Sequence, residues 1–209
     1  MALAEVSFGA GRGMSDVIYV MVGSGVGAGI VIDGRLHRGV TGLAGEIGHV
    51  RVKAEGAVCR CGNRGCLETV ASADAVLSLL RPKNGQELNV AGLVELLDAG
   101  DAATLRVVND AGREIGRVVA GLCNVLSPAG VIVGGDLGVV GEPLLAGIRE
   151  ALDRHALPPV RAAIELEAGV LGERAEVLGA LALVIGDTDR LRSAGLAALH
   201  GDMTTTVVG

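Results

Sequence analysis

The chain has no tryptophan, one tyrosine and one phenylalanine in 209 residues. A core built from it must be filled by aliphatic side chains. Half of the residues are hydrophobic, chiefly Ala, Val and Leu, so the supply is ample. Basic runs are lacking too. The net charge is -6 and no stretch clusters Lys with Arg, so this segment carries no electrostatic footprint for nucleic acid. No apolar run reaches the ~18 residues of a membrane helix. The longest, Val177 to Ile185, is about half that. No secretion signal is evident. These absences lead to the expectation of a cytoplasmic protein with no membrane partner. The length suits one large domain.

Cysteine is scarce, yet three of the four cysteines fall within eight residues. Together with an upstream histidine they form H-x9-C-x-C-x4-C: His49, Cys59, Cys61 and Cys66. Three thiolates and one imidazole make a closed tetrahedral set for a structural zinc, with no open position for a catalytic water. Gly62 and Gly65 supply the positive φ that folds a short loop around a metal. The competing reading is three reduced thiols and an unrelated histidine. A Cys61–Cys66 disulfide is a further alternative, but it needs an oxidising compartment and leaves one thiol unpaired. Cys123 lies on an apolar helical stripe and is read as an inert core thiol.

Residues 17–22 read as a buried strand, followed by a glycine turn, Gly23-Ser24-Gly25-Val26-Gly27. A second strand is expected from Ala28 to Asp33, with Asp33-Gly34 as a hairpin signal. The zinc module spans roughly 45–68. Ser72 is expected to cap a helix through Leu80, with Ala73, Val76, Leu79 and Leu80 on its buried face. A loop over 81–85 precedes a short helix to about Ala99, which Gly100 ends. Asp101 opens the longest helix, with Leu105, Val108, Ile115, Val119, Leu122 and Leu126 at helical spacing, and Pro128 stops it. Val131–Val133 reads as a strand ending in Gly134-Gly135-Asp136. A helix over Pro143–His155, an edge strand over Ile164–Leu166 and a final helix over about 173–185 complete the pattern. The tail, 187–209, has no clear pattern and is read as partly disordered. Alternating strands and helices point to an α/β fold.

Gly45-Glu46-Ile47-Gly48-His49, the run Cys59-Arg60-Cys61-Gly62-Asn63-Arg64-Gly65-Cys66-Leu67-Glu68, and the glycines of 23–29 together closely resemble the ROK family (repressors, uncharacterised open reading frames and sugar kinases). The resemblance covers about residues 1–186. It implies the larger, C-terminal lobe of the actin-like, hexokinase-like ATPase fold, in which two α/β lobes close over a cleft. It also implies that Glu46, His49 and Glu68 contact a sugar. Carboxylates accept hydrogen bonds from vicinal hydroxyls. An imidazole that binds metal through one nitrogen keeps the other N–H for a hydroxyl. The alternative is that the two glutamates only brace the zinc loop. The resemblance further implies phosphate contacts at Gly23, Ser24, Gly25 and Gly27, through backbone N–H groups. Adenosine-side contacts are implied at Gly134 and Gly135. Sterically required turns are the competing reading of both segments. The family's kinases often carry Thr where this chain has Ser24, and Gly where it has Ala28.

Those kinases also need a D-x-G-x-T phosphate loop and a catalytic aspartate in N-D-x-N, and neither occurs here. Met1-Ala2-Leu3-Ala4-Glu5 resembles the residues directly after N-D-x-N. The expectation is a fragment that begins past the first lobe, or a misplaced start, with no sugar-kinase turnover of its own. Asn109-Asp110, mid-helix, is assigned no role. Leu67-Glu68-Thr69-Val70-Ala71-Ser72 resembles the L-E-T-(V/I)-A-S of sugar-responsive repressors, where the kinases more often read E-A-(Y/F)-A-S. The chain is therefore read as the sugar-sensing part of a ROK transcriptional regulator, a homo-oligomer, commonly a dimer in the family. DNA would be contacted only through a domain outside this chain. The alternative is the C-terminal part of a glucokinase-like kinase using ATP and Mg.

Overall fold

The computed structural model describes residues 1–80 and 88–185. Its centre is a five-stranded sheet of order β3-β2-β1-β4-β5. β1 (Val17–Val22) is apolar along its whole length, which suits a strand covered on both faces. β2 (Val26–Ile32) runs antiparallel to it from the pair Val22↔Val26, so the connecting turn is only Gly23-Ser24-Gly25. β3 (Arg35–His37) returns through Asp33 and Gly34, both at positive φ, as the Asp-Gly pair predicts. β4 (Gly130–Gly134) and β5 (Glu165–Ala168) add in parallel on the other side of β1, with β5 at the edge.

Helix α1 (Ala2–Phe8) packs on the sheet face that shows Val17, Tyr19 and Ile132. The other face, with Ile18, Val20, Val131 and Val133, carries most of the core. Alternation along β1 thus serves two layers. The second layer is built from α2 (Glu68–Ala71), α3 (Ala73–Leu79), α4 (Val90–Asp98), α5 (Ala102–Leu126) and α6 (Glu142–His155). A short α7 (Pro158–Ala163) leads into β5. The expected caps are present. The Ser72 side chain accepts from Ala75 N and that of Asp101 from Thr104 N, and α5 ends at Ser127 in the left-handed region, just before Pro128. α5 and α6 cross with their backbones nearly touching. A side chain at Gly112 would collide with the Leu144 carbonyl, and one at Gly147 with the Asn109 carbonyl.

Several expectations are corrected. The second strand begins at Val26, not Ala28, because Val26 already pairs with Val22, so Gly27 lies in β2 and not in the turn. Leu79 and Leu105 are 65% and 49% exposed. Thr104 in the first turn of α5 and Leu77 and Leu80 at the end of α3 face the core instead, so Leu79 and Leu105 each lie to one side of the covered stripe. The final helix is formed over 174–185. α1, α2 and α7, and short 3-10 turns at Ile47–His49 and Asp136–Val140, were not legible in the periodicity. Cys123 is fully buried in the core, and burial pushes its thiol up to about 12. Among the described residues no helix is long and apolar enough to cross a membrane. The expected loop over 81–85 and the tail over 187–209 lie outside the described residues.

The helix crossing yields a paired prediction. Gly147→Val should cost about 2–3 kcal/mol through overpacking. Gly121→Ala, on the open side of α5 with nothing within 4 Å, should be neutral or stabilise by up to about 1 kcal/mol. Denaturant midpoints of the two variants check both signs.

Candidate functional site

The site begins with two glycines. Gly45 takes φ +97, and a Cβ at Gly45 or Gly48 would collide with the carbonyls of Ala28 or Val26. Without side chains there, residues 45–49 lie directly on β2, and Ala28 N donates to Gly45 O at 2.7 Å. The 3-10 turn that follows sets Glu46 and His49 side by side, with His49 Nε2 3.7 Å from Glu46 Oε2. The other ring nitrogen, Nδ1, is 3.5 Å from Cys59 Sγ.

The cysteine loop folds through its backbone. Cys59 N donates to Asn63 O at 2.7 Å and Gly62 N to Cys59 O at 2.9 Å. Gly62 and Gly65 take φ +90 and +70, as the loop sequence predicts. A Cβ at Gly65 would collide with the Lys53 carbonyl, so the loop can close on residues 51–53 only with glycine there. The four cysteines are free, and the Cys61 and Cys66 sulfurs are 3.7 Å apart. One donor atom each from His49, Cys59, Cys61 and Cys66 lies within 4.8 Å of the others, so the cluster can hold a metal ion. A tetrahedral ion with metal–sulfur bonds of about 2.3 Å separates its sulfurs by about 3.8 Å, which the Cys61–Cys66 spacing fits. Burial and the neighbouring thiols push Cys66 up to about 12, whereas a hydrogen bond from the Asn63 backbone lowers Cys61. A bound divalent cation reverses the first effect by favouring the thiolate.

Glu68 opens α2 two residues after Cys66, behind the fully buried Leu67. It is only 8% exposed. Its Oε1 is 3.6 Å from Cys59 Sγ and its Oε2 accepts from Arg60 Nη2 at 2.7 Å. Glu46 and Glu68 thus each stand one contact from a metal donor, the first through His49 and the second through Cys59. Arg60 was missed as a site residue. Its only signal in the sequence is its place between two of the cysteines.

The glycine turn faces two ways. Ser24, Gly134 and Gly135 line one cavity of about 570 Å³ together with Glu5, Asp74, Asp136 and Glu173, and no Lys or Arg is among the described residues of its wall. Gly135, at φ +86, and Gly134 pack against β1, where side chains would strike Val22 and Tyr19. Gly23 is held behind the wall, its carbonyl accepting from Ala73 N at 2.8 Å. Gly25 faces the other side: a Cβ there would lie 2.7 Å from Glu68 Oε2 and 2.8 Å from Arg60 Nη2. Gly27, in β2, is not among the cavity's lining residues.

Residues 1–187 match the ROK family. A glucokinase of Halalkalibacterium halodurans is 38% identical over 194 residues, 85% of this chain and 58% of the relative. A xylose repressor of Caldicellulosiruptor bescii is 35% identical over 199 residues, 89% of this chain and 50% of the relative. The crystal structure of a ROK family glucokinase from Streptomyces griseus, in complex with glucose and AMPPNP, superposes with a TM-score of 0.77 at 32% identity, over 86% of this chain and 63% of that one. The chain spans about half the length of the curated relatives it matches.

The loop geometry makes a prediction independent of ligand. Gly65→Ala should open the cysteine hairpin, at a cost of at least about 1 kcal/mol from the positive φ and more from the Lys53 collision. The checks are a lower melting temperature and faster labelling of Cys59 and Cys66, with Cys123 still protected.

Proposed function

Because the chain belongs to the ROK family, we propose that it is the sugar-sensing part of a ROK transcriptional regulator. In this reading residues 1–186 form the larger lobe, and the cluster of His49, Cys59, Cys61 and Cys66 holds a structural zinc. Glu46, His49 and Glu68 bind the sugar. The observation that carries the reading is the orientation of His49, with Nδ1 toward the thiols and Nε2 toward Glu46. A metal on Nδ1 fixes the tautomer that leaves Nε2–H as a donor. Donor and carboxylate acceptors then stand together, as a polyol requires. A sugar held between this lobe and a second one binds the closed state better than the open state, and that difference is what moves DNA affinity in the whole protein.

The cavity beside Ser24, Gly134 and Gly135 supports a regulator over a kinase. Its described wall has four carboxylates and no Lys or Arg, a poor match to a nucleoside triphosphate. The second reading is the C-terminal lobe of a glucokinase-like kinase. It is favoured by the meeting of the two glycine segments in one cavity, and there Mg would have to neutralise the phosphates.

Two measurements test the proposal. Protein purified without chelator should carry one zinc per chain. Cys61→Ser should lose it and Cys123→Ser should keep it; less than a tenth of an equivalent in folded wild-type protein sinks the assignment. In the full-length parent on its operator DNA, a sugar should shift the binding curve, and Glu68→Ala should weaken that response by about 1–3 kcal/mol. A parent that phosphorylates glucose with ATP and shows no sugar effect on DNA is a kinase.

A further inference from the structure

Arg60 joins the two candidate ligand regions. Its guanidinium binds Glu68 at 2.7 Å and rests against Gly25, in space a side chain at that glycine would occupy. Its side chain is 70% exposed, while that of Glu68 is 10% exposed, so the arginine forms the outer half of the pair. Among the described residues Arg60 makes no other polar contact, and the N–H groups of Ser24 and Gly25 donate no hydrogen bond within the chain. A guanidinium has five N–H donors in a rigid fork, and Glu68 takes one of them.

The two sides of the glycine turn therefore differ in charge. The Ser24 side opens into the cavity with four carboxylates and no described Lys or Arg, the Met1 ammonium being its one described positive group. The Gly25 side carries Arg60. An anionic group that approaches the turn is favoured on the Gly25 side, next to the carboxylate proposed to hold a sugar hydroxyl. We propose, resting on the sugar-site reading above, that Arg60 is a specificity-determining residue that selects a sugar bearing a phosphoryl group over the neutral sugar. Glu68 fixes the guanidinium and accepts a hydroxyl, and the remaining Arg60 donors meet the phosphoryl oxygens beside Gly25 N–H. Arginine suits this role because its fork matches phosphate geometry and it stays charged at every accessible pH.

The test is calorimetric titration of the zinc-loaded, full-length parent with glucose, glucose 1-phosphate, glucose 6-phosphate, and glucose with ATP. Wild type is compared with Arg60→Ala, Arg60→Lys and Glu68→Ala, with zinc content and circular dichroism as fold controls. Wild type should bind one phosphorylated sugar at least about tenfold more tightly than glucose. Arg60→Ala should abolish that preference, and Arg60→Lys should restore part of it. If the gain appears only with glucose and ATP together, the phosphoryl group belongs to the nucleotide and the proposed selection of a phosphorylated sugar is overturned. Glucose binding that depends on Glu68, with no phosphoryl preference or with one that survives in Arg60→Ala, overturns the Arg60 proposal alone. If no sugar binds, or Glu68→Ala binds as wild type does, the sugar-site reading falls and takes this inference with it.

Discussion

The convergence of one imidazole and three sulfurs within 4.8 Å governs the arrangement of everything around it. Burial and the neighbouring sulfurs make the Cys66 thiol resist ionisation. The loop that holds them contributes little apolar burial of its own, since Val58 and most of its residues face solvent. A cation at the centre would reconcile these demands, and the folding free energy of such a module would then come largely from the metal bonds. Glu46 and Glu68 gain their places from the same centre, because each leans on a residue that donates to it.

How much of this was legible in the sequence depends on the distance over which each feature is determined. The cysteine loop could be read because its ligands lie close along the chain and its two glycines have a local job at positive φ. The caps at Ser72 and Asp101 are local in the same sense. By contrast, Leu79 and Leu105 fit the helical period and still face solvent, because an apolar pattern does not fix the edge of the covered stripe: beside Leu105 the polar Thr104 is buried instead. α1 was missed since its few buried residues, Ala2, Ala4 and Glu5, carry a weak signal until the sheet beneath them is known. The Glu5 carboxylate accepts from Ala10 N and from Leu171 N, a pairing no local pattern could reveal.

The glycine segment shows the same limit from another direction. Its composition suggested one glycine turn from Gly23 to Gly27, and the family resemblance implied phosphate contacts there. The ladder of β2 starts earlier, which leaves a three-residue turn with two unlike sides. One side belongs to an acidic cavity and the other to the Arg60–Glu68 pair. Which face each glycine shows is set by strand register, and register is fixed by the core beneath the sheet.

The order of strands also sets a timetable. β1 lies in the middle of the sheet, but its parallel partner β4 comes about a hundred residues later in the chain. On a ribosome adding ~5–20 residues each second, one edge of the β1–β2–β3 meander is left unpaired for several seconds. That edge is apolar and offers unpaired backbone groups, the conditions under which nascent strands pair with the wrong neighbour. During that interval the long α5 is being made. With α2, α3 and α4 it belongs to the layer that covers the Ile18 and Val20 face of β1, and all four are made before β4, so early folding of that layer would shield the growing chain from aggregation.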